Sequence, residues 1–407
     1  MTKQERFLRI LTLGFLTALS PFSIDMYLPG FKLIAKDLHT TPNQVGLSLS
    51  SYFIGLAAGQ LLYGPLLDKF GRKKPLYFGL AVYIAASIGC MTVTNINPLI
   101  ALRFIQAVGG CAAAVAAVAM VRDLFPVEEN AKIFSLLMLV VGLSPMLAPT
   151  VGSFVTAAFG WQAVFLTLAL IAVLTLLAVI FKLPDGYQPN TKLSLKPGPI
   201  ISNFIMVFKE PQFYTYAIGG AFSFAGIFTY VTGSPGIFMQ IFDMNEHTFS
   251  YVFAGLSVAF IGSSQLNTLV LRWYTSQQMV KAAIAVQIVA GVLFLVLSLM
   301  GVLGLVGVLT FLFIFLFTLG FISSNASALS LAPFSEHAGS ASALMGAMQL
   351  GIGALTSGIL GMIKTVSIVP MAAVMAGASF IAFVVIFAGQ RNIKKNVTAK
   401  PGAAVMH

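Results

Sequence analysis

Asp25 and Arg103 are the two side chains whose type and setting can do chemistry. Asp25 stands in an apolar stretch that otherwise runs from Leu8 to Leu28. Of the chain's 12 acidic residues, it is the one expected well inside such a stretch. Arg103 stands in another, with Gln106 three residues on and so on the same helix face. A charge at membrane depth costs several kcal/mol or more, so a retained one has a job or a partner. Burial favours a neutral acid and a nearby cation favours the anion, and a carboxyl held between the two can exchange a proton. Asp25 lies about five residues before the outer end of its span, and Arg103 about five residues into its own. At about 1.5 Å per residue, both sit roughly 8 Å below one boundary. Two arrangements fit equal depth and opposite sign: a common polar cavity, or a permanent ion pair that only neutralises both.

The elements that must position these groups follow from composition. Apolar residues make up 58% of the 407-residue chain and charged residues only 9%, against roughly 25% charged in a soluble domain. Spanning the hydrocarbon takes about 20 apolar residues. The sequence offers such runs near 8–30, 44–66, 75–94, 98–121, 132–157, 162–182, 212–238, 248–270, 280–300, 304–328, 337–362 and 367–389. The expected fold is therefore an all-α integral membrane protein of twelve transmembrane helices. Barrel strands are excluded, being short and alternating in polarity. Ala18-Leu19-Ser20 loosely resembles a cleavage site, but Pro21 follows and the apolar run continues, so the first run is read as a span.

The formal charge of +11 does not mark a nucleic-acid partner. Most of the cations, including Lys69, Arg72, Lys73, Lys74, Arg122, Lys209, Arg272, Lys281 and Arg391, fall in segments on one side, which the positive-inside rule makes cytoplasmic. Both termini are then cytoplasmic. The longest polar stretch, 183–211, is rich in proline and glycine and separates spans six and six. This division gives bundles 1–182 and 212–390, the linker 183–211 and a tail 391–407. The fourth and tenth spans are both rich in small residues, a weak likeness between halves that also suits close helix packing. Cys90 and Cys111 read as small packing residues. His39, His247 and His337 lie near span ends, so none reads as a core proton relay or metal ligand.

Four motifs add a resemblance. Gly64-Pro65-Leu66-Leu67-Asp68-Lys69-Phe70-Gly71-Arg72-Lys73-Lys74 joins the second and third spans. It resembles the loop signature of the major facilitator superfamily, departing at Lys69, where that family has arginine. Arg103 to Gly110 resembles a second signature of the superfamily, with Ala107 in place of a glycine. Ser144-Pro145-Met146-Leu147-Ala148-Pro149-Thr150-Val151-Gly152-Ser153 resembles its antiporter signature. Pro149 and Gly152 match, and Ser144, Ala148 and Ser153 replace glycines. Ser23 to Pro29, Val121 to Phe125 and Ala338 to Ala343 resemble the Bcr/CflA subgroup of drug:proton antiporters.

The resemblance implies two pseudo-symmetric six-helix bundles and export of chloramphenicol-, bicyclomycin- or sulfonamide-type drugs by proton exchange across the bacterial inner membrane. A proton-coupled amino-acid or sugar transporter is the alternative. Asp25 and Arg103 would couple the proton. Gly64, Asp68, Gly71, Arg72, Arg122, Pro145, Pro149 and Gly152 would gate, with Asp68 and Arg122 forming a cytoplasmic charge link. A mostly apolar site with few polar anchors would draw on Asp25, Met26, Tyr27, Arg103, Gln106, Met138, Met146, Phe228, Tyr230, Gln265, Asn325 and Gln349. No ATPase signature, nucleophile–base set or metal cluster is visible. The expectation is no enzyme and no cofactor, with the proton gradient as the drive. The other partners are the drug and the bilayer, and the protein is expected to be a monomer.

Overall fold

The computed structural model describes residues 2–184, 189, 197–334, 338–363 and 365–393. The described residues form helices and no strand: α1 (Lys3–Asp25), α2 (Phe31–Asp37), α3 (Pro42–Phe70), α4 (Lys73–Met91), α5 (Ile96–Leu124), α6 (Val127–Phe159), α7 (Gln162–Lys182), α8 (Pro197–Phe208), α9 (Pro211–Gly236), α10 (Glu246–Val270), α11 (Ser276–Leu299), α12 (Leu305–Leu331), α13 (Ala338–Met362) and α14 (Ile368–Gly389). In hydrocarbon every backbone polar group must be satisfied within its own segment, which is why long apolar runs become helices. Polar residues set their ends. Thr41, Asn95, Asn245 and Thr275 cap α3, α5, α10 and α11 with side-chain acceptors. Gly71, at φ +83°, ends α3 in a conformation that favours glycine.

Twelve long helices correspond to the twelve runs, and eleven regions are long and apolar enough to cross a membrane. The one left out is α9. It packs against α3, α12, α13 and α14 and meets protein nearly all round. Its Gly219, Ser223, Thr229, Thr232 and Ser234 are buried among those neighbours, so it needs less hydropathy than a lipid-facing helix.

α1 and α3–α7 form one bundle and α9–α14 the other. Their likeness is one of packing. α5 lies against α3 and α4, and α12 against α10 and α11. A Cβ at Gly109 would stand 2.6 Å from the Gly79 carbonyl oxygen, and one at Gly320 would stand 2.6 Å from that of Phe260. Small residues there let backbones touch, which is how membrane helices gain contact without a hydrophobic driving force.

Two expectations need correction. The stretch read as a polar linker contains α8, whose Val207 is buried with Phe213 and Ala217. The first span, read as one run to residue 30, is interrupted where α1 stops at Asp25 and continues to Asp37. A 3-10 turn over Leu28–Gly30 and the short α2 follow. Pro29 explains the break. It has no N–H to give the Asp25 carbonyl, and it disfavours helical geometry at Leu28.

Candidate functional site

The break in α1 organises the site. Gly152 of α6 packs backbone to backbone against it, since a Cβ there would stand 1.8 Å from the Met26 carbonyl oxygen. No side chain fits at that position. α6 carries Pro145 and Pro149 within one helix, and the Pro149 carbonyl accepts from Ser250 Oγ of the other bundle at 3.0 Å.

Arg103 and Asp25 share a depth but not a partner. The guanidinium is wholly buried, on the side of the break that faces the interior of its own bundle. Nη2 donates to the Ser23 carbonyl at 2.7 Å and Nη1 to Gln106 Oε1 at 2.5 Å. The group lies over the rings of Tyr52 (4.2 Å) and Tyr27 (4.5 Å), with Phe165 at 5.8 Å. Gln106 Nε2 then donates to Ser87 Oγ at 2.7 Å, the Ser23 and Tyr83 hydroxyls lie 2.6 Å apart, and Tyr27 Oη meets Ser48 Oγ at 2.8 Å. Dipoles and ring faces, not a carboxylate, hold this charge.

Asp25 is 5% exposed and takes part in no ion pair or hydrogen bond among the described residues. It stands at the end of α1, just before the Leu28–Gly30 turn, which packs on α6 and on α9 and α10 of the other bundle. The Tyr230 ring stacks on Phe253 at 5.1 Å, and its hydroxyl is buried without a partner. Beside it, Phe228 sits between Phe53 of the first bundle (4.4 Å) and Gly353 of α13.

The hydrogen bonds that join the bundles, among the described residues, all lie toward the end opposite the termini. Asn43 Nδ2 donates to the carbonyls of Ile363 (2.8 Å) and Thr365 (3.2 Å). Ser50, Ser357 and Thr232 link their hydroxyls at 2.7 and 2.6 Å. Ser153 meets His247 Nδ1 at 3.2 Å, and Lys32 lies 3.7 Å from Asp243. No such bond joins the bundles toward the terminus side. There Ser342–Leu350 of α13 are uniformly half-buried. The hydrogen bonds across the seam thus gather at the far side, while nearer the termini Gly346 of α13 packs against Gln60 of α3.

The other expected residues scatter around this seam. Gln349 and Met146 are half-buried, while Met138 and Gln265 are exposed. Asn325 is enclosed in the second bundle, where its Nδ2 donates to Asn267 Oδ1 at 2.6 Å. Tyr27 and Gln106 belong to the arginine cage. Sequence reasoning missed the far-side seam, because serines and asparagines in helices look the same whether they bond backward or across an interface. His247 was visible but its partner was not, and His337 lies outside the described residues.

The charge link on the terminus side also needs correction. Asp68 Oδ1 accepts from Arg72 Nη1 at 2.6 Å, and Arg72 Nε donates to Asp123 Oδ2 at 2.7 Å. The partner of Asp68 is Arg72, not Arg122, and the α5 residue joined to the link is Asp123. The neighbours Arg122 and Asp123 point about 100° apart around α5, so Arg122 is exposed. Burial opposes the charge of Arg72, but its bonds to Asp123 and Asp68 outweigh it and raise its proton affinity. Gly64, which meets nothing, takes no part in this link. We expect Asp123→Ala to lower unfolding stability in detergent by about 3 kcal/mol, the scale for breaking a largely buried pair. Arg122→Ala should stay within about 0.5 kcal/mol. Equal melting of the two variants would refute the assignment.

Comparison with known proteins adds four findings. The sequence pattern of the Major Facilitator Superfamily matches residues 13–358. A bicyclomycin resistance protein homolog from Haemophilus influenzae is 32% identical over 393 residues, covering 96% of this chain and 98% of that protein. A chloramphenicol resistance protein from Pseudomonas aeruginosa is 29% identical over 263 residues, covering 63% of this chain and 62% of that protein. Among solved structures, a bacterial homolog of the human lysosomal transporter Spinster, inward-facing and occupied, has a TM-score of 0.74 at 14% identity. It covers 98% of this chain and all of that one, a likeness of fold.

Proposed function

The chain belongs to the Major Facilitator Superfamily, and from that premise we propose that it is a proton-coupled antiporter exporting small drug-like molecules. The observation that carries this reading is the setting of Asp25. It is a buried carboxyl with no ion pair or hydrogen bond among the described residues, placed where α1 breaks, beside a turn that packs on α6 and on α9 and α10 of the other bundle. A site within the membrane between repeated bundles, built on a broken helix, suits alternating access. The basic residues collect on the terminus side, which the positive-inside rule makes cytoplasmic. In that orientation the hydrogen-bonded end of the seam faces outside.

With the cavity open inward, Asp25 releases its proton and cargo enters. With the far side parted, Asp25 takes a proton from outside and cargo leaves. The rocking of one bundle against the other is the two-state element that proton and cargo bias. Phe228 and Tyr230 give cargo an aromatic floor, with Met146 and Gln349 on the walls. The resistance proteins named among the relatives support chloramphenicol- or bicyclomycin-type cargo.

The alternative, a carrier whose Arg103 clamps the carboxylate of a metabolite, loses its residue, because that guanidinium is walled off inside one bundle.

Proteoliposomes test the reading. With acid imposed on the far side, chloramphenicol or bicyclomycin should leave the terminus-side compartment several-fold faster than at equal pH. Equal rates for both drugs under the two conditions would overturn proton coupling.

A further inference from the structure

A shallow groove of about 530 Å³ lies where α11 begins and α14 ends, on the terminus side of the second bundle and away from the transport seam. Its lining is Lys281, Val384, Phe387, Ala388, Gln390 and Arg391. The groove has two parts. Val384, Phe387 and Ala388 are exposed apolar side chains of α14 near the end of its span. Lys281 and Arg391 are exposed cations from two different helix ends, and neither takes part in an ion pair among the described residues. Lys281 lies 6.0 Å from the Phe387 ring centroid, so its charge sits directly beside the apolar part. The lining holds no acid.

We propose that this groove binds an anionic phospholipid of the terminus-side leaflet, its phosphate between Lys281 and Arg391 and an acyl chain along Val384 and Phe387. The depth fits. The cations stand at the ends of two spans, where headgroups lie, and the apolar side chains stand one turn deeper, where acyl chains begin. The chemistry fits as well. An arginine presents a planar fork to phosphate oxygens, a lysine adds a point charge, and the Gln390 amide can donate to the glycerol ester. Basic pockets between transmembrane helices recognise anionic headgroups in this way. Topology alone requires cations on this side but does not require two from separate helices to converge on one apolar groove. The proposal depends only on the spans and their ends, not on the transported molecule.

The test is native mass spectrometry of the full-length protein released from nanodiscs containing phosphatidylcholine with phosphatidylglycerol or cardiolipin. The wild type should retain the anionic lipids in preference to phosphatidylcholine. Each cation removed should weaken that preference about fivefold, the scale of roughly 1 kcal/mol per basic residue near a membrane surface. Lys281→Ala with Arg391→Ala should therefore cost about 25-fold, whereas Lys74→Ala, an exposed cation of the other bundle, should cost nothing. Stronger retention of cardiolipin than of phosphatidylglycerol assigns both cations to separate phosphates, and equal retention assigns them to one. The proposal fails if the double variant keeps the wild-type preference. It also fails if Lys74→Ala loses as much, because the attraction would then be a diffuse surface potential.

Discussion

Asp25→Asn should abolish proton-driven export while leaving the protein folded and able to bind cargo. Asparagine keeps the volume of the side chain and its hydrogen-bonding capacity but cannot titrate. The carboxyl holds no ion pair among the described residues, so the substitution breaks no structural bond. The protein should melt within about 0.5 kcal/mol of wild type, as substitutions that touch no structural feature do. In proteoliposomes with an imposed pH gradient, the wild type should concentrate chloramphenicol on the far side and the variant should not. Exchange of drug for drug at equal pH needs no proton and should persist. The wild-type export rate should vary with pH, and the variant's residual flux should be flat. Should Asp25→Asn still move drug uphill under the gradient, the coupling role passes to another group and the functional reading falls with it.

Arg103→Ala should act on the fold. The substitution leaves the Ser23 carbonyl and the Gln106 amide oxygen without their donor and opens a hole between the rings of Tyr27 and Tyr52. Hydrogen bonds to a charged group contribute about 1.5–3 kcal/mol each, and a desolvated cation over a ring about 2 kcal/mol. The guanidinium's own burial offsets part of this, so we expect a net loss of about 3 kcal/mol or more in thermal unfolding in detergent. Arg103→Lys should recover only part of it, because one ammonium cannot reach Ser23 and Gln106 together while stacking between two rings. The contrary result is specific: a variant that melts like wild type yet neither binds nor transports drug would return Arg103 to the cavity.

These two predictions diverge although the sequence presents the two residues as a matched pair. Depth follows from counting, because a helix rises about 1.5 Å per residue. Azimuth does not, because rotation of each helix about its axis depends on what packs against it. Gly152 against Met26, Pro29 at the break and the three rings around Arg103 leave the two charges unpaired with each other. The same angular ambiguity separates Arg122 from Asp123. Adjacent residues on α5 point in different directions, and only the packing of α3 and the start of α4 against α5 picks Asp123 as the partner of Arg72. The far-side seam was out of reach for another reason. Its Asn43, Ser50, Ser153, Ser250 and Ser357 find partners far away in the chain, from 94 residues for Ser153 to 320 for Asn43, and no local pattern announces such partners.

What the sequence determined by itself was the number of long apolar helices, their approximate places in the chain and the separation of the basic face. Hydrocarbon admits essentially one conformation for a long apolar run, and that conformation fixes position along the membrane normal. Tertiary structure alone decided how each helix is rotated, where α1 breaks and at which end the seam is hydrogen-bonded. Those depend on contacts between segments far apart in the chain, whose free energies are comparable whichever way a helix face turns until all its neighbours are in place.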